Sequence, residues 1–141
     1  IRRKGMNTKY FLNLVAGNVF RSKETPAIPT KYYIGLSKTA PNETGGNVTE
    51  PETAAGYARV ELNSLGEPVD GLVTNQQAIN FNESTNGWGT VTHFVVYDSN
   101  EAGAGNLLMY GELTTPRTVE TATIMTIKEN YLKLSVQNPT A

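Results

Sequence analysis

Thr90-Val-Thr-His-Phe-Val-Val-Tyr-Asp98 is the strongest strand signal in the chain, dense in β-branched and aromatic residues. Its Phe94, Val95, Val96 and Tyr97 are apolar in sequence without alternation, the pattern of a strand covered on both faces. Strict alternation places His93 opposite Phe94, on the face of Val91 and Val95. Downstream, residues 99–105 hold an Asn and two glycines and read as a hairpin turn, so residues 106–113 are expected to pair back.

Working outward, residues 31–37 form an aromatic and β-branched strand, and residues 57–62 alternate apolar and polar. A turn is expected around Gly66, Pro68 and Gly71, then a short strand at 77–81 with Ile79 and Phe81 on one face. Residues 122–128 and 131–136 read as two more strands, the first facing Ala122, Ile124 and Ile127 inward and the second Leu132, Leu134 and Val136. Glu129-Asn130 between them is short enough for a tight hairpin. Residues 39–56, rich in Thr, Pro, Asn, Gly and Glu, read as a long surface loop, and residues 82–89 as another ending in Gly87-Trp88-Gly89. Seven to eight short antiparallel strands predict an all-β fold, a β-sandwich or jelly roll forming a single domain over 31–137.

Residues 6–21 are predicted as one N-terminal α-helix that Asn7 or Thr8 caps. Tyr10, Phe11, Leu14 and Val15 recur at helical spacing, while Gly17 and Asn18 weaken the last turn. That apolar stripe packs either on the chain's own sheet or on a neighbouring subunit, which makes Tyr10, Phe11, Leu14 and Val15 the candidate assembly contact. Residues 1–5, Ile-Arg-Arg-Lys-Gly, read either as a translated leader before a start at Met6 or as a disordered basic arm. Adjacent arginines encoded AGG-AGG match a bacterial ribosome-binding sequence. Without Arg2, Arg3 and Lys4 the formal charge moves from -1 to -4.

Length and charge exclude several classes. The chain has 141 residues, enough for one self-sufficient core. It has no cysteine, hence no disulfide, thiol nucleophile or Cys-based zinc site. Twelve basic against 13 acidic residues argue against nucleic acid as a partner. No apolar run approaches the roughly 20 residues of a membrane helix, so no membrane insertion is expected.

Residues able to do chemistry are sparse. His93 is the single histidine, and Asp70 and Asp98 are the only aspartates. Asp98 lies five residues along the same strand, aimed away from His93, so no triad forms there. The glutamates at 43, 50, 52, 67, 83 and 101 fall in loops and read as solvated. Asp98, Asn100 and Glu101 offer oxygens but lack the spacing of a calcium loop. No catalytic, cofactor or metal site is therefore expected. Asn42-Glu-Thr44, Asn47-Val-Thr49 and Asn82-Glu-Ser84 match a glycosylation pattern and read as turns rich in Asn and Thr.

Trp88 and Tyr57 are the candidates for surface recognition. With Tyr97 they form a stacking platform if exposed, which would make the chain a carbohydrate-binding module for host-surface glycan; the alternative for Trp88 is a cap on the core. Arg59 reads as a structural ion pair or a loop cap.

Several blocks together resemble a family of small tailed-bacteriophage proteins, labelled phage tail fibre or minor structural proteins. They are Tyr33-Ile-Gly-Leu-Ser37 with Ala40-Pro-Asn42, Asn47-Val-Thr-Glu-Pro51, Gly56-Tyr-Ala-Arg-Val60, Gly87-Trp-Gly-Thr-Val-Thr-His-Phe94 and Asn106-Leu-Leu-Met-Tyr-Gly111, with Tyr10-Phe-Leu-Asn-Leu-Val15 in front. The resemblance implies a non-enzymatic structural component of the virion, on a tail fibre, on a baseplate or as a capsid decoration. It supplies no catalytic residue. The partners expected are copies of the same chain, with a trimer as first guess, and other virion proteins.

Overall fold

The computed structural model describes residues 6–136, so the reading of residues 1–5 lies outside the described residues. The centre is a five-stranded antiparallel sheet in the order β1-β7-β6-β2-β3. Its strands are β1 (Met6–Asn7), β2 (Tyr33–Ser37), β3 (Val60–Glu61), β6 (Gly89–Tyr97) and β7 (Leu107–Val119). Two ribbons complete the fold, β4 (Leu72–Thr74) with β9 (Lys133–Ser135) and β5 (Ile79–Asn80) with β8 (Thr126–Ile127). Among the described residues one α-helix, α1 (Lys9–Phe20), packs on β7, and a short 3-10 helix spans Thr53–Ala55. The all-β class with an N-terminal helix is thus observed, with nine strands among the described residues rather than seven to eight. No described helix is long and apolar enough to cross a membrane.

The β6 sequence is covered on both faces. Phe94 and Val96 point into the main core with Ile34, Leu36 and Leu108. Val95 and Tyr97 point the other way, into a smaller cluster with Leu107, flanked by Val48 and Tyr110. Val48 belongs to the 39–56 segment, so part of that loop is a lid on the sheet, with Pro51 and Ala55 buried. Asn42 ties the rest, its Oδ1 accepting from Thr44 N, Thr44 Oγ1 and Gly46 N.

Strict alternation fails at Thr92. The ladder slips between Val91, opposite Arg117, and His93, opposite Glu112. This irregularity returns Val91 to the main core beside Phe94, so His93 shares a face with Val95 but not with Val91. Pro116, which has no N–H for the ladder, lies within the offset part of β7.

The hairpin expected at Glu129-Asn130 does not form. The strand at 126–127 pairs with β5, and that at 133–135 with β4. The buried Asn75 causes the difference. Its Nδ2 donates to Lys128 O and Gln77 O, its Oδ1 accepts from Leu132 N, and its carbonyl accepts from Asn130 N. Three of these bonds hold the 128–132 corner against Asn75, the fourth fixes the 75–77 turn, and Asn130 takes a positive φ of 67° there. β4 itself follows a tight Asp70-Gly71 turn, both residues at positive φ, closed by mutual bonds between Val69 and Leu72. The inward set of the 122–128 segment is Met125 and Ile127; Ile124 is exposed and Ala122 sits in a turn at positive φ. Val136 is likewise exposed.

Of the two cap candidates, Thr8 serves, accepting from Phe11 N at 3.2 Å. Its hydroxyl also donates to Leu107 O, and its N–H to Leu108 O, which fastens the helix start to β7. Gly17 and Asn18 do not end the helix. A Cβ on Gly17 would lie 2.5 Å from Thr25 Oγ1, and Asn18 Nδ2 donates to Pro26 O, so this pair seats the returning chain.

Candidate functional site

Arg59 and Glu50 form a bidentate ion pair inside the protein, with Nε to Oε1 at 3.0 Å and Nη2 to Oε2 at 2.7 Å. Both side chains are almost fully buried. Burial alone would raise the Glu50 pKa, but bonds from Arg59, Tyr57 and the Gly103 N–H outweigh it and hold the carboxyl below its ordinary range. The remaining Arg59 nitrogen donates to Ser99 O at 2.7 Å and Ala104 O at 2.8 Å. Its guanidinium carbon stacks 3.7 Å from the centre of the Tyr97 ring. Arg59 therefore joins the 47–51 loop, β6 and the 99–105 turn in one knot, both ion pair and loop cap as the sequence suggested.

Tyr57 extends the knot. Its hydroxyl donates to Glu50 Oε1 at 2.5 Å and accepts from Leu36 N at 3.0 Å. Burial and the adjacent carboxylate push the phenol pKa far up, so the ring stays a neutral donor. Its ring meets Trp88 edge to face at 5.4 Å between centres. The Trp88 indole N–H donates to Ala55 O at 2.9 Å.

This corrects the recognition reading. Trp88 and Tyr57 are each only 2 % exposed, so neither presents a ring face to a sugar. The two flanking glycines of Trp88 serve a buried anchor. Glu50, read as a solvated loop carboxylate, is the centre of the knot. The predicted assembly residues divide as well. Phe11 and Leu14 are buried in the protein's own core, Val15 packs against it, and only Tyr10 keeps a large exposed surface.

Gly35 makes the knot fit. It lies mid-strand opposite Val95. A Cβ there would collide with the Tyr57 hydroxyl and stand 3.0 Å from Glu50 Oε1. Both atoms are fixed by several bonds and cannot give. Gly35→Ala is expected to cost about 1–3 kcal/mol as an overpacked site. Urea unfolding measures it, and an unchanged midpoint would refute the fit.

His93 contacts its chain neighbour. Its Nδ1 lies 2.8 Å from Thr92 Oγ1, and burial lowers its pKa against the opposing pull of Glu112. Asp98 is engaged by Asn106, accepting from its N–H at 2.7 Å and from its amide at 3.0 Å, which closes the 98–106 turn.

The knot draws on four of the blocks that carried the resemblance: Gly35, Glu50, Tyr57 with Arg59, and Trp88. No individually curated protein matches the chain. A family model described as podophage GP4 fiber I protein gp80 matches residues 7–135, which takes in every element from α1 through β9. The chain belongs to this podophage fibre family and is a structural component of a phage virion.

Proposed function

We propose that the chain is a non-enzymatic subunit of a tail fibre, rather than a capsid decoration, that self-associates and reaches toward the host. One observation carries the self-association: the exposed apolar end of α1. Phe20 is 83 % and Val19 67 % exposed, and Ile28 in the returning segment is exposed too. A large aromatic left in water beside two aliphatics is the composition of an interface. The family's fibre description supports the tail position. At 15.3 kDa the subunit builds a fibre by stacking or ringing with copies and other virion proteins. A trimer is the first assignment, because closed rotational symmetry lets one patch be satisfied in every subunit.

Light scattering on the full chain tests this. The expected mass is a multiple of 15.3 kDa, about 46 kDa for a trimer. Val19→Ser with Phe20→Ser is expected to give a monomer with unchanged far-ultraviolet circular dichroism. A full-length monomer at every concentration up to hundreds of micromolar would overturn the proposal.

A further inference from the structure

A groove of about 200 Å3 lies between the offset part of β7 and the 125–132 segment. Phe94, Met125 and Leu132 supply an apolar floor. Tyr131 stands on the rim, 67 % exposed, with the Lys128 ammonium 5.9 Å from its ring centre. The Glu112 and Arg117 side chains line the same groove without bonding to each other; Glu112 faces His93 across the ladder, and the Arg117 guanidinium makes no hydrogen bond or ion pair to a described residue. A carboxylate and a guanidinium that share one concavity without bonding to each other offer acceptors and donors to a ligand.

We infer that this groove binds one acidic pyranose unit of a surface polysaccharide. A pyranose has a C–H face that lies on a tyrosine ring and a rim of hydroxyls that both donate and accept, which matches an aromatic rim with Glu112 and Arg117 beside it. The volume falls below the range of about 300–1,000 Å3 typical of drug-sized ligands, so a single ring fits. Two cations, Arg117 and Lys128, face one carboxylate, Glu112, and the excess positive charge selects a carboxylate-bearing sugar over a neutral one. The bulge that turned Val91 back to the core also opens this groove, because the offset residues of β7 between Glu112 and Arg117 leave the ladder there. This inference rests on the reading of the chain as a host-facing fibre subunit, but its site is separate from the α1 end that carries self-association.

The test is a nuclear magnetic resonance titration of the 15N-labelled full chain with methyl glucuronide and, in parallel, methyl glucoside. Shifts are expected at Leu113, Thr114 and Tyr131 with glucuronide, at an affinity on the order of millimolar for a single ring. Glucoside is expected to bind several-fold more weakly. Tyr131→Ala and Arg117→Gln, both at exposed positions, are each expected to weaken glucuronide at least tenfold while leaving the mass in solution unchanged. No shift in the groove with either sugar overturns the inference, and so does equal binding of the two. A Tyr131→Ala variant that dissociates the assembly also overturns it, since the groove would then be a subunit interface.

Discussion

Arg59→Met is expected to destabilise the protein by about 3–5 kcal/mol, the cost of leaving one member of a buried pair uncompensated. Methionine fills the space but leaves the Glu50 carboxylate with only Tyr57 and Gly103 as donors, and it strips Ser99 O and Ala104 O of theirs. Urea unfolding reads this directly as a midpoint lowered by about 1–3 M. The pH dependence adds a sign. In the parent protein the Glu50 pKa is depressed, so its stabilisation is present above the ordinary value of 4.5 and is lost as pH falls below it toward the folded value. In Arg59→Met burial acts without its main opponent and the Glu50 pKa rises. The penalty of the substitution therefore shrinks as pH is lowered through the ordinary glutamate range, where the buried carboxyl takes up a proton. Glu50→Gln combined with Arg59→Met is expected to be more stable at neutral pH than Arg59→Met alone. A penalty that does not change between pH 7 and pH 4 contradicts the buried pair.

Trp88→Ala carries the second large effect, about 3–5 kcal/mol for emptying a buried aromatic site. The indole is lost from its edge contact with Tyr57 and from its bond to Ala55 O, so the 53–57 corner loses its anchor. Thermal unfolding is expected to drop by about 10 °C or more for a domain of this size. A recognition tryptophan on the surface would behave differently, leaving stability within about 0.5 kcal/mol. The emission of this single tryptophan gives an independent reading. A buried indole emits to the blue and resists iodide quenching, and both features disappear on unfolding.

The residues show why some of this was legible in the sequence and some was not. Phe94 to Tyr97 announced a strand buried on both faces because composition alone demands two covers. Helix α1 was legible because its capping threonine and its apolar spacing are local signals. The Thr92 irregularity was not, since nothing in Thr-Val-Thr-His distinguishes a slipped ladder from a regular one. The missing hairpin at Glu129-Asn130 had a plausible local turn, which three bonds to the distant Asn75 overrode. Glu50 looked solvated because its loop is polar, and its partner Arg59 lies nine residues on with no pattern linking them. Gly35 was the one available hint, a glycine in an otherwise bulky strand, which marks a close approach by something. Trp88 misled in the opposite way. Its flanking glycines suit an exposed ring as well as a buried one, and only the Ala55 carbonyl distinguishes the two. No local sequence signal marks the groove at Tyr131, because Glu112, Arg117 and Tyr131 come together only through the β7 offset and the Asn75 corner.

Gold-labelled antibody against this chain, applied to purified particles of the phage that encodes it and viewed by electron microscopy, tests the central claim most directly. The account predicts label on the tail fibres, in a copy number set by the subunit's closed symmetry. Label confined to the capsid shell, or intact particles that carry none of the chain, would contradict it.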